Sequence, residues 1–317
     1  MHAESCYAAG VRLLLGYNYS MRRNLRAILS LMGAAYKTWS SLHGTLLAAG
    51  LAYYTLFSLA PLLVIGVALA GRWYGEAAVT GRLVSQISHV VGPKAAEGIQ
   101  YLLATREIAS GGGWATAVSL GLMIFGASMM FSQLKYAINL LWGVAPQPGH
   151  DWFLYIRTHF FSFLMVLAIA LLLVALMSAS TLVTAIDQRL RLLPPSAQEI
   201  LPEADFSLMF IGFSIVFALI FKVLPDARIT WQDVIVGASV TSLLFTFGEF
   251  LIGYLLSWIS IATAYGAMGT VALLLFWIYY SMQIILYGAA FTAVYSNRYG
   301  ATIRPSARAA RVIRNLE

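Results

Sequence analysis

Long apolar runs alternate along the chain with short polar connections. Six runs reach or approach the roughly 20 residues that a helix needs to cross a bilayer core: Leu46 to Leu69, Trp114 to Gln133, Phe160 to Ala185, Phe206 to Phe221, Val234 to Trp258 and Ala267 to Val294. Glu249 is the one formal charge inside any of them. Runs this long and this rich in Leu and Ala predict helices, because a barrel strand needs only about 10 alternating residues. The expected fold is an all-α integral membrane protein, a six-transmembrane-helix bundle over residues 44–297 between basic tails at 1–43 and 298–317.

The connections add amphipathic pieces. Leu25 to Tyr36, beside Arg22, Arg23 and Arg26, reads either as a helix lying on the inner leaflet or as a solvated basic tail. The first outer loop holds two further interfacial helices, Leu83 to Val91 and Ala95 to Thr105, separated by Gly92-Pro93. Leu193 to Ala204, with Pro194, Pro195 and Pro202, reads as an extended connection, and Gly266 and Gly269 are expected to break the chain before the last span.

Composition agrees. With 60% hydrophobic and 10% charged residues and a mean hydropathy of +0.77, there is too little polar surface to clothe a soluble fold. The net charge of +7 matters through its distribution rather than as a nucleic-acid footprint. Placing both termini inside puts fourteen of the 20 Lys and Arg residues on the cytoplasmic side, which predicts a membrane protein with both termini in the cytoplasm. Seven of the 8 tryptophans, Trp142 and Trp231 among them, fall near span ends, as interfacial indoles do. No cleavable signal is expected, the first span serving as targeting signal, and lone Cys6 reads as a free thiol.

Polar residues inside the spans carry the candidate chemistry. Gly50, Tyr54, Ser58 and Pro61 share one face of the first span; Pro61 frees the carbonyl of Phe57, which then needs protein or water rather than lipid. Ser242, Thr246 and Glu249 share a face of the fifth span, and Tyr280, Gln283 and Tyr287 one of the sixth. The reading is a polar cavity lined by these three helices. Glu249 stands open between two roles, a functional carboxylate and a neutral acid tying helices together through Gln283 or Tyr280. Near the inner end of the second span, Gln133, Lys135 and Asn139 are expected as headgroup-level anchors, and Asp226 and Asp233 as local turn and cap residues. Ala117/Gly121 and Ala289/Ala293 permit close helix approach, compatible with a homo-oligomer.

Catalysis finds little support. The 5 histidines are scattered without metal spacing, no carboxylate cluster accompanies them, and no phosphate-cradling glycine loop exists. The expectation is no enzyme, no cofactor, no metal and no nucleic-acid partner, with membrane lipids and a lipid or amphipathic substrate as partners.

Three stretches carry a resemblance: "HGTLLAAGLAYYTLFSLAPLLVI", "FGASMMFSQLKYAINLLWGV" and the run from "FKVLPDARITWQDVIVGASV" to "GAAFTAVYSNRYG". They resemble the YihY / virulence-factor BrkB family of bacterial inner-membrane proteins over about Trp39 to Gly300, with LPDA, W-x-D-V-x-x-GA, AYGA-x-G and LL-x-W-x-YY-x-x-QI in order. The resemblance implies a six-helix membrane protein with no settled activity, formerly labelled ribonuclease BN. Two positions depart from the family's usual residues: Ala290 stands where a glutamate is common, and Glu249 where a lysine often is. If those positions pair in the family, this chain has lost the pair. The functional expectation is a transporter or flippase-like carrier; a non-transporting scaffold of an envelope complex is the alternative, and ribonuclease activity fits least.

Overall fold

The computed structural model describes residues 26–58, 112–146, 200–258, 267–306 and 309–311. Their helices are α1 (26–41), α2 (44–58), α3 (Gly112–Leu141), α4 (Ile200–Val223), α5 (Trp231–Trp258) and α6 (Ala267–Tyr299). Four short strands sit at one end of the helices: β1 (Val144–Pro146), β2 (Ala227–Arg228), β3 (Arg304–Pro305) and β4 (Ala309–Arg311). Pro61, the third expected span, the remainder of the first and the helices of the first outer loop lie outside the described residues.

Among the described residues, Trp231–Ile252 and Val271–Tyr299 are long and apolar enough to cross a bilayer, and Ser207–Val223 is a shorter apolar helix. Several boundaries differ from the sequence expectation. Helix α3 runs to Leu141 and α6 to Tyr299 rather than stopping at 133 and 294, because Lys135, Asn139 and Arg298 find protein partners instead of interrupting the helix. Helix α4 begins at Ile200, inside the expected extended connection. Pro202 falls in its first turn, where the missing N–H has no intrahelical partner to lose.

The core forms where α5 packs antiparallel to both α4 and α6. Phe245 of α5 meets Phe213 and Phe217 of α4, with ring centroids 4.9 and 5.5 Å apart, and Trp277 of α6 at 6.4 Å. Leu51 and Ala52 of α2 join the same core beside Leu134, Ala137 and Ile138 of α3. Trp142 is not the expected interfacial indole: it is buried, and its Nε1 donates to the Ala289 carbonyl at 3.0 Å, fastening the end of α3 to the middle of α6.

Helix α1 is also more than a surface helix. Its buried residues, Leu31 and Ala35, are covered by Phe291 of α6. The Tyr287 hydroxyl donates to the Met32 carbonyl at 3.0 Å, and Arg298 reaches Ser30 at 3.2 Å. The turn into α2 passes through His43 at a φ of 52°, the left-handed region that costs a non-glycine residue conformational energy.

The segment after α6 does not leave as a free basic tail. Gly300 turns it back, β3 pairs antiparallel with β2, and β4 pairs antiparallel with β1. Ile303 and Ala309 are buried beneath it. The cause is polar: the backbone N–H groups of Ala301 and Ser306 are taken up by the Asp233 carboxylate and the Asp226 carbonyl, at 3.2 and 2.9 Å.

Candidate functional site

Two polar groupings stand out, one between the helices and one at their stranded end. The first begins where α5 and α6 touch. Gly237 faces Thr292 and Gly288 faces Thr241, while Gly248 packs on the Tyr280 ring, 2.7 Å from its hydroxyl to where a β-carbon would lie. These pairs fix the register and put Glu249 level with Tyr280. Ala290 is then about ten residues further along, roughly 15 Å at 1.5 Å per residue. The two positions that depart from the family's usual residues therefore cannot form a direct ion pair in this fold. Ala290 is fully buried between helices, where a carboxylate would have no water.

On α5, Thr246 Oγ1 and Glu249 Oε1 are buried and have no hydrogen-bond partner among the described residues. They lie three residues apart, on one helix face. Native interiors rarely leave such atoms unpaired, and each unmade bond costs about 1–3 kcal/mol. The expected tie from Glu249 Oε1 to Tyr280 or Gln283 is not made, although Tyr280 packs one residue away. Gln283 is half-buried on α6.

The other candidate residues are placed differently. Ser242, a turn from Thr246, donates to the Phe210 carbonyl of α4 at 2.9 Å. Tyr287 is tied to α1 rather than lining a space with Tyr280. Ser58 donates to its own helix at Thr55, 3.0 Å away, and its backbone packs against Gly126 of α3. Tyr54 is half-buried beside Tyr53. Gly50, expected on the same inward face, is exposed with open space around it. Among the described residues, then, Thr246 and Glu249 share a face of α5, Tyr280 packs on the neighbouring Gly248, and no hydrogen bond links any of the three to Tyr54 or Ser58.

The second grouping was not foreseen as a unit. Lys135 and Asn139 are one helical turn apart on α3, and both reach Asp226 in the loop after α4. Lys135 Nζ lies 2.9 Å from Asp226 Oδ1, Asn139 Nδ2 donates to Asp226 Oδ2 at 3.1 Å, and the Asp226 N–H donates back to Asn139 Oδ1 at 2.9 Å. Asn139 is 3% exposed, so it is no headgroup anchor. Gln133, two turns before the end of α3, is half-buried. Asp233 also exceeds local capping: besides its N–H bond to Thr230 Oγ1 at 3.3 Å, its carboxylate accepts from Ser296 at 2.9 Å and from the Ala301 N–H. Both aspartates thus hold distant segments together. The i, i+4 spacing of Lys135 and Asn139 was the sequence signal; their partner ninety residues away had none.

A sequence profile described as virulence factor BrkB matches residues 35–313. The chain belongs to that family. Among curated BrkB-like relatives, a UPF0761 membrane protein of Vibrio vulnificus is 26% identical over 250 residues, covering 78% of this chain and 76% of its own length. One from Pseudomonas paraeruginosa is 29% identical over 247 residues, 76% of this chain and 57% of the relative. A third, from Rhodospirillum centenum, is 28% identical over 265 residues, 82% of this chain and 56% of the relative. Those names assign membrane residence and neither a reaction nor a cargo. No solved structure matches the chain. With apolar helices of spanning length and relatives of this kind, this BrkB-family chain is a membrane protein.

Proposed function

We propose that this BrkB-family protein is a carrier of the bacterial inner membrane, with both termini cytoplasmic, that moves a lipid or amphipathic solute past a polar site on α5 and α6. It acts by binding and conformational change rather than by catalysis. The observation that carries the reading is the unpaired pair of buried oxygens, Thr246 Oγ1 and Glu249 Oε1, on one face of α5. A protein that only scaffolds gains nothing from two unmet hydrogen bonds inside an apolar helix, whereas a carrier needs groups whose partner is its cargo. The carboxyl would meet a hydroxyl or amine of the cargo headgroup, and the exposed apolar residues Phe247 and Phe250 on the neighbouring face would flank its acyl part.

The test does not require the cargo to be known. In a Cys6→Ala background, Thr246→Cys is exposed to a charged, membrane-impermeant thiosulfonate from either side, in spheroplasts and in inverted vesicles. A carrier site is reached by water, so modification from at least one side is expected. A cysteine inert from both sides, in protein that inserts normally, overturns the carrier reading in favour of the scaffold.

A further inference from the structure

At the stranded end, β2 and β3 form an antiparallel ladder in which Arg228 and Arg304 are direct partners. Like charges directly opposite one another destabilise a ladder, and both arginines are exposed. Neither makes an ion pair among the described residues. The nearby acids are already engaged, Asp226 with Lys135 and Asn139, and Asp233 with Ser296 and Ala301. Both arginines line a concavity of about 430 Å³, whose wall also includes Thr230, Ala301 and Thr302. Positive charge is therefore concentrated in a pocket that offers hydroxyls and no free carboxylate.

The depth of this pocket follows from its neighbours. Trp231 adjoins Thr230, is 53% exposed, and has the Lys222 ammonium 5.3 Å from its ring centroid. It opens one of the two described helices that are long and apolar enough to span a bilayer. An exposed indole with a cation at the end of such a helix marks the headgroup level. An arginine fork matches phosphate oxygens in pairs, which a point charge does not.

We propose that Arg228 and Arg304 clamp a phosphoryl anion, and that its source is an anionic membrane phospholipid whose headgroup enters this pocket. The site lies apart from Glu249 and does not rest on the carrier reading; a scaffold could hold a lipid here equally well.

The purified full-length protein in detergent is melted with short-chain phosphatidylglycerol, with short-chain phosphatidylcholine and with inorganic phosphate. Phosphatidylglycerol is expected to raise the melting temperature saturably and more than phosphatidylcholine. Arg228→Gln and Arg304→Gln are each expected to weaken that apparent affinity by about tenfold. Each should also leave the lipid-free melting temperature equal or higher, since removing one charge relieves the repulsion; a merely structural arginine would lower it. Arg228→Lys keeps the charge but not the fork and should recover only part of the affinity. Arg311→Gln, an exposed arginine on β4 outside the pocket, should leave the lipid response unchanged. Equal loss in Arg311→Gln overturns the clamp in favour of diffuse surface charge. An equal, arginine-dependent response to inorganic phosphate overturns the lipid source, and no difference between wild type and the Arg228→Gln/Arg304→Gln double variant overturns the site.

Discussion

Thr292 occupies the space that a side chain on Gly237 would need: a β-carbon there would overlap the Thr292 hydroxyl and lie 2.8 Å from its Cβ. The arrangement is reciprocal, for Thr241 fills the same space over Gly288. Each threonine hydroxyl donates to the carbonyl of the glycine one turn before it on its own helix, at 2.7 Å, so both hydroxyls are satisfied where the helices meet. In lipid, close approach of this kind replaces hydrophobic driving force as the source of helix affinity. Helices α5 and α6 are locked by two Gly-x-x-x-Thr units read in opposite directions.

Gly237→Ala should therefore lower stability by about 1–3 kcal/mol, the usual range for overpacking. Thr292→Ala removes the overlapping hydroxyl and should recover part of that loss in the double variant, a coupling of about 0.5 kcal/mol or more. Melting in detergent, followed by size-exclusion fluorescence, measures both. Strictly additive effects would mean that the helices do not meet at this point.

Asn139 should matter more than Lys135 to the stranded end. Asn139 is buried and exchanges two hydrogen bonds with Asp226, whereas Lys135 is 22% exposed and makes one ion pair with it. Asn139→Leu strands both a backbone N–H and a carboxylate oxygen, a cost of about 1.5–3 kcal/mol. Lys135→Met should cost about 1 kcal/mol or less, as partly exposed pairs do. Hydrogen exchange reads the difference locally: faster exchange at Ser306, whose N–H is held by the Asp226 carbonyl, is expected for the first variant. Slower exchange in either variant would contradict the link.

Membrane residence and helical architecture were legible because they depend on long, local apolar runs. So was the polar stripe on α5, because i, i+3 and i+4 positions share a face whatever lies opposite. The partners across the fold were not legible. Tyr287 reads as a cavity residue from its own helix, and only the packing of α1 on α6 shows its hydroxyl tied to Met32. The residues after Tyr299 read as a basic tail because Arg304, Arg308 and Arg311 dominate their composition. Their strands exist because Asp226 and Asp233 accept backbone N–H groups of that segment, from residues 80 and 68 positions further along the chain. The Gly-x-x-x-Thr units were present in the sequence, but small residues alone do not reveal which helix they face.

The two roles left open for Glu249 make opposite predictions for a single substitution. If the carboxyl ties helices together, Glu249→Leu removes a bond and lowers stability. If instead its Oε1 is held unpaired for a cargo, Glu249→Leu removes an unmet buried polar atom from an apolar helix and stability rises, by about 1–3 kcal/mol. Function should move the other way, since a site kept for binding is one that the resting fold leaves unsatisfied. Glu249→Leu is expected to melt several degrees higher in detergent and, at normal protein level, to fail to restore whatever growth phenotype a deletion strain shows. Glu249→Gln, which keeps shape and hydrogen-bonding capacity without the ionisable group, should retain more function than Leu. A lower melting temperature for Glu249→Leu would assign the residue to packing, and full complementation by it would remove Glu249 from any transport site.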